Sequence, residues 1–271
     1  MKVLVTGANG MLGHRVVDVL RERGHDVRAT DLPELDLTDA GAVEAFVADA
    51  PPEAVVNCAA YTAVDRAEDE EELATRVNGD AAGNLARVAP YLVHLSTDYV
   101  FDGDATEPYT ESAAPAPTGA YGRSKLAGEE QVRAAGEQHA IVRTAWLFGD
   151  GGPNFVDTMV RLGRERDEVK VVFDQVGSPT WTGHLAPAVA DVLEARGAGV
   201  FHAAGAGRCS WFELAVEAMR VAGLDCRVVA IPGEEYPTPT KRPAFSVLET
   251  ERADGVHLPP WQDGVKGHLS T

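Results

Sequence analysis

Short β-branched runs alternate with amphipathic stretches along most of the chain. Val3–Thr6 reads as a strand, and the stripe Leu12, Val16, Val19 and Leu20 predicts a helix from about Met11 to Arg23. Further strands are expected at Asp26–Thr30, Ala54–Cys58, Leu92–Ser96, Ala140–Arg143 and Val169–Phe173. Helical stretches lie between them near 39–49, 72–89, 119–135 and 153–166. This alternation predicts an α/β fold, a doubly wound parallel sheet with helices on both faces. Three Pro- or Gly-rich segments break the pattern, at 98–118, 174–183 and 232–248. The first follows a strand directly, where loops of such sheets hold ligands. Together they predict a smaller C-terminal substrate-binding lobe over the sheet.

Composition narrows the function. A chain of 271 residues, 45% hydrophobic, suits one enzyme-sized unit and is too long for a minimal binding module. Lys+Arg 24 against Asp+Glu 42 gives a net charge of −18, which repels polyphosphate at long range. Nucleic acid and anionic membranes are therefore not expected partners. Only five of the bases are lysine, which fits either a salt-rich cytoplasm or coding bias. Cys58, Cys209 and Cys226 are odd in number and far apart, and read as core residues in a reducing compartment. Met1 to Gly7 is too short in apolar residues for a signal-peptide core, and no run nears the roughly 20 residues of a membrane helix. A cytoplasmic enzyme is expected. The acidic run Glu68–Glu72 reads as a solvated helix start, and the eight histidines show no ligand-like spacing, so no metal site is expected.

Two motifs carry chemistry. Gly7-Ala8-Asn9-Gly10-Met11-Leu12-Gly13 follows the first strand and opens the first helix. Gly7 permits the turn, Gly10 lets amides approach a pyrophosphate, and Gly13 allows close helix–strand packing. Asp31, at the end of the second strand, suits adenosine ribose hydroxyls and leans the site towards NAD, although Arg15 and Arg28 could offset its charge. Asp36 and Leu37 lie near enough to reach the adenine. The sheet is thus Rossmann-like, with residues 1–150 mainly dinucleotide-binding. Residues 151–271 are mainly the substrate lobe, with some segments returning to the sheet.

The second motif is Tyr121-Gly122-Arg123-Ser124-Lys125. Tyr121 and Lys125 share a helix face, where an ammonium lowers a phenol's pKa and readies it for proton transfer. Thr97, in Ser96-Thr97-Asp98-Tyr99-Val100-Phe101, can hydrogen-bond a substrate carbonyl, and Asp98 a sugar hydroxyl. Ser210 is expected to cap a helix that Trp211 packs into the lobe.

These residues together resemble the extended short-chain dehydrogenase/reductase superfamily, and within it the dTDP-4-dehydrorhamnose reductase family. Further stretches carry the resemblance: 56–65 (VNCAAYTAVD), 143–146 (RTAW), 174–180 (DQVGSPT), 236–239 (YPTP) and 241–243 (KRP). It implies reduction of the C4 keto group of a dTDP-6-deoxy-L-hexos-4-ulose by NADPH or NADH, with Thr97, Tyr121 and Lys125 catalytic. Cofactor contacts implied are Gly10, Met11, Leu12, Asp31, Asp36, Leu37, Ala60, Tyr61, Thr62 and Leu95. Substrate contacts implied are Thr97, Asp98 and Trp146, with Lys241 and Arg242 beside the diphosphate. The resemblance admits a homodimer, but not a metal-bridged one, because Arg15 stands where some relatives carry the acid. Phe245-Ser246-Val247-Leu248 departs from the family's Asn-Ser-x-Leu, which bears on sugar recognition. An epimerase or dehydratase of the superfamily, or a regulatory subunit of methionine adenosyltransferase type, would share much of this pattern. The Asp98-Tyr99 pair favours simple reduction over the Asp-Glu pair of dehydratases.

Overall fold

The computed structural model describes residues 1–270. The chain opens with β1 (Lys2–Thr6), α1 (Gly13–Glu22), β2 (Asp26–Thr30), α2 (Ala40–Asp49) and β3 (Ala54–Asn57). There follow α3 (Glu71–Thr75), α4 (Ala81–Val88), β4 (Leu92–Thr97), α5 (Ala120–Ala135) and β5 (Ala140–Thr144). Next come β6 (Leu147–Phe148), α6 (Phe155–Glu165), β7 (Glu168–Val172), β8 (Val176–Gly177), β9 (Thr180–Trp181) and α7 (Thr182–Glu194). The last elements are β10 (Gly199–His202), β11 (Cys209–Ser210), α8 (Trp211–Ala222), β12 (Arg227–Ile231) and α9 (Trp261–Leu269).

Six parallel strands form the central sheet in the order β10-β5-β4-β3-β1-β2. Period-two alternation sends Val3, Val5, Val56, Val93 and Val142 to one face, against Val16 and Leu20 of α1 and Leu185 and Val189 of α7. Leu4, Val55, Leu92 and Ile141 go to the other, against Val43 of α2, Leu85 of α4 and Val132 of α5. Each such side chain contributes about 1.5–3 kcal/mol by leaving water. Strand order reverses between β1 and β3, so the connections leave to opposite sides and open a crevice at the carboxyl ends.

The strand expected at 169–173 exists as β7 but leaves this sheet. It pairs in parallel with β12 instead. The place beside β5 is taken by β10, whose four residues are too few to show a pattern, and α7 returns with it to the sheet. β7 packs on α6 and α8 through Val169, Val171, Met159 and Leu214, which gives the C-terminal region a core of its own. The helix expected over 72–89 is broken by a π turn at Arg76–Asp80. There Asn78 turns its amide to the Tyr61 backbone and donates to Ser124 Oγ at 2.9 Å.

Candidate active site

A cleft of about 1720 Å³ runs over the carboxyl ends of the sheet and on towards β7. One end is built by the β1–α1 turn. Gly7 sits at φ 67°, and a Cβ on Gly13 would lie 2.0 Å from the Gly7 carbonyl oxygen, so the helix starts flush against the strand. Gly7, Gly10, Met11, Leu12 and Gly13 line the cleft, beside the partial positive charge of the α1 N-terminus.

Asp31 closes this end. Its Oδ2 accepts the Asn9 amide at 2.9 Å and its Oδ1 the Leu32 amide at 2.8 Å. Asp36 and Leu37 line the same stretch. The Thr38 hydroxyl and amide both donate to Asp36, which holds its carboxyl below the usual range. Arg28, one of the two cations that could offset the charge of Asp31, is turned elsewhere. Its guanidinium stacks 3.5 Å over the Phe46 ring and donates to the Phe46 carbonyl, on the α2 side. A glycine turn that only glycine fits, a helix N-terminus and a fixed ribose-type carboxylate suit a nicotinamide dinucleotide.

Ala60, Thr62 and Leu95 line the cleft, but Tyr61 is not among its lining residues. Asn78 holds the Tyr61 backbone while the phenol donates to Glu70 at 2.5 Å, so the side chain is drawn to the acidic run.

That run does more than sit in solvent. Glu68 accepts the Ala120 amide at 3.0 Å and caps α5, and Glu71 grips Arg123 one turn further on. A Cβ on Gly122 would lie 2.1 Å from the Tyr99 carbonyl, so glycine is what lets α5 rest on the turn Asp98–Val100. Tyr121 is thereby brought against Thr97, whose hydroxyl acts on the phenol, while its ring meets Tyr99 edge-on at 5.5 Å.

The electrostatics correct one expectation. Lys125 is buried and donates to the Leu95 carbonyl at 2.7 Å, not to the phenol. Burial pushes it down to about 8, against the opposing charge of Glu129. Tyr121 is raised rather than lowered, by burial and then by the nearby Asp98. Its phenol is therefore a neutral donor.

Two further carboxyls flank the pair. Asp98 is 1% exposed, accepts the Thr97 hydroxyl at 3.0 Å, and is pushed up to about 6 by burial, against the hydrogen bond of Ser246. It borders the cleft, yet its carboxyl is turned to its protein neighbours. Glu129, one turn beyond Lys125, is equally buried. Burial pushes it up, but Arg143 at 2.7 and 2.8 Å, Ser96 at 2.7 Å and Arg133 outweigh that and hold it low.

The far end of the cleft is aromatic and cationic. Trp146 stands at φ 46°, a left-handed conformation costing about 1–3 kcal/mol in a bulky residue. Its ring stacks on Trp211 at 3.5 Å, and Phe155 leans on Trp211 at 4.6 Å. Ser210 caps α8 reciprocally with Glu213, as its position predicts, and Trp211 both packs and lines the cleft. Arg242 lines it as well, although its guanidinium is held by Tyr99 at 2.9 Å and Asp65 at 2.6 Å. Lys241 is exposed and absent from the lining. Sequence reasoning missed Arg166 and Lys170, which line this end but stand in an evenly charged stretch without a motif.

The family described as RmlD substrate binding domain matches residues 1–271. The chain is 44% identical to the dTDP-4-dehydrorhamnose reductase of Burkholderia thailandensis, over 98% of this chain and 97% of that protein. It is 45% identical to the dTDP-4-keto-6-deoxy-D-glucose reductase of Streptomyces niveus, over 90% and 87%. The crystal structure of dTDP-4-dehydrorhamnose reductase from Bacillus anthracis in complex with NADP aligns with a TM-score of 0.96 at 38% identity, covering 99% of this chain and 98% of that one. Motifs, architecture and near full-length likeness agree, and the chain belongs to the dTDP-4-dehydrorhamnose reductase family.

Proposed function

We propose that the protein is an NAD(P)H-dependent oxidoreductase that reduces the C4 keto group of dTDP-4-dehydro-6-deoxy-L-mannose to dTDP-L-rhamnose. The observation that carries this reading is the convergence of Thr97, Tyr121 and Lys125 in the same cleft as the glycine turn. The cofactor, held at Gly7–Gly13, Asp31 and Lys125, supplies the hydride when bound. Tyr121, kept neutral by burial, protonates the oxygen at C4. Thr97 orients that oxygen. Trp146 offers an apolar face to the sugar or base, and Arg166, Lys170 and Arg242 are the cations for the diphosphate.

Asp31, with Arg28 drawn away, favours NADH, while the Bacillus anthracis relative holds NADP. No described helix is long and apolar enough to cross a membrane. Three free thiols support placing the enzyme in the reducing cytoplasm.

Absorbance loss of NADH and NADPH with dTDP-4-dehydro-6-deoxy-L-mannose tests the reading. Wild type is expected to oxidise NADH with the larger kcat/KM, and Tyr121→Phe to lose about 10²–10⁴-fold in kcat with NADH binding intact. A folded protein that binds NADH yet leaves it unoxidised with this substrate overturns the reading.

A further inference from the structure

A hydroxyl has one proton to give and two lone pairs to fill. Thr97 commits its proton and one lone pair within the protein. Its proton goes to Asp98 Oδ1 at 3.0 Å, and the Tyr99 amide donates to its oxygen at 3.2 Å. In this arrangement Thr97 has nothing to offer a substrate carbonyl, the task its place beside Tyr121 suits it for.

We propose that Asp98 is a positioning residue that sets the donor direction of Thr97: only its protonated carboxyl releases the Thr97 hydroxyl to the substrate's carbonyl oxygen. This rests on the reductase reading above. Tyr121 turns its O–H to the substrate, and Thr97 keeps a second lone pair beyond the one that the Tyr99 amide fills. A protonated Asp98 fills that lone pair as donor, and the Thr97 proton swings to the carbonyl. No proton leaves Asp98, and the reduction draws its proton from Tyr121 as before.

The surroundings suit this role. Asp98 is buried among Thr97, Tyr99, Tyr121 and Ser246, with one carboxyl oxygen left without a hydrogen-bond partner. The groups that shift it are hydrogen-bond donors and burial, and no cation is among them. The nearby bases are committed elsewhere: Lys125 to the Leu95 carbonyl, Arg143 to Glu129, and Arg242 to Tyr99 and Asp65. Asp98 consequently holds its proton up to about pH 6, beyond the ordinary aspartate range.

The test compares kcat against pH for wild type, Asp98→Asn, Thr97→Ala and the double variant, with NADH and the 4-keto sugar nucleotide saturating. Wild type is expected to lose about tenfold in kcat per pH unit above a midpoint at or above that of Asp98. Asp98→Asn donates its amide N–H to Thr97 at every pH, and its kcat should be level across that window. In the Thr97→Ala background the Asp98→Asn change should do nothing to the profile. An Asp98→Asn profile with the wild-type midpoint overturns the proposal, as does an equal effect without Thr97. Carboxyl-carbon NMR of the folded protein gives an independent reading: titration of Asp98 near pH 6 supports the proposal, and titration near 4 overturns it. If wild type consumes no NADH at any pH, the reductase reading falls, while the NMR titration still decides whether Asp98 keeps its proton.

Discussion

Glu129 and Asp98 lie at the same depth on either side of Lys125 and Tyr121, and they ionise in opposite senses. Glu129 meets Arg143, Arg133 and Ser96, and is held below the ordinary glutamate range despite its burial. Asp98 meets only hydroxyls and amides, and burial prevails. Depth alone therefore fixes neither charge state; the presence of a cation does. Glu129 also ties α5 to Ser96 of β4 and Arg143 of β5, so the charged partner is the structural one. The under-partnered acid sits at the reacting end.

The contrast is sharpest in stability. Arg143→Met leaves Glu129 buried and without its main partner, and should cost about 3–5 kcal/mol in urea unfolding at pH 8. Asp98→Asn at the same pH removes an unpaired buried charge and should leave stability unchanged or raised. A larger loss in Asp98→Asn than in Arg143→Met would erase the distinction.

Acidity gives a second, smaller signature with opposite signs. Glu129 has a folded pKa below 4.5, so its contribution is present above that pH and lost as pH falls through the folded value. Asp98 binds its proton more tightly folded than unfolded between about 3.8 and 6. Its contribution drains away as pH rises through that window. Urea midpoints followed against pH should show wild type losing ground to Asp98→Asn as pH climbs from 4 to about 6. Measured against Glu129→Gln, wild type should gain as pH climbs through the acid range. Parallel slopes would mean that both carboxyls are ionised alike.

The smallest effect concerns Lys125, which burial brings to about 8 and which the Glu129 charge holds up. NADH affinity, followed by nucleotide fluorescence, should weaken above about pH 8 in wild type. In Glu129→Gln that loss should begin at lower pH. An unmoved alkaline limb would show that Glu129 acts on the helix and not on the ammonium.

Features legible in the sequence were those written locally. The glycine turn, Asp31 and the Tyr121–Lys125 spacing each lie within one strand–turn–helix unit or one helical turn, where periodicity and spacing translate directly into position. Asp98 is different, since its state depends on Ser246 from the late loop and on the distance of every cation. The same holds for Tyr121, whose phenol is raised by burial and by Asp98 while Lys125 turns to the Leu95 carbonyl, none of which spacing alone reveals. β10 was missed because four residues carry no period, and Arg166 and Lys170 because only the β7–β12 pairing turns that segment towards the cleft.

The placing of β10 at the end of the sheet also governs how the protein can be made. β5 is buried along its whole length and is shielded on its outer side by a strand roughly 60 residues further along the chain. At about 5–20 residues per second on a ribosome, that flank stays bare for some 3–12 seconds after β5 emerges. During that interval the nascent chain presents an apolar, unpaired strand edge, the surface most open to pairing with another chain. The interval closes only when Gly199–His202 arrives, so the last strand of the sheet serves the growing chain as its seal against aggregation.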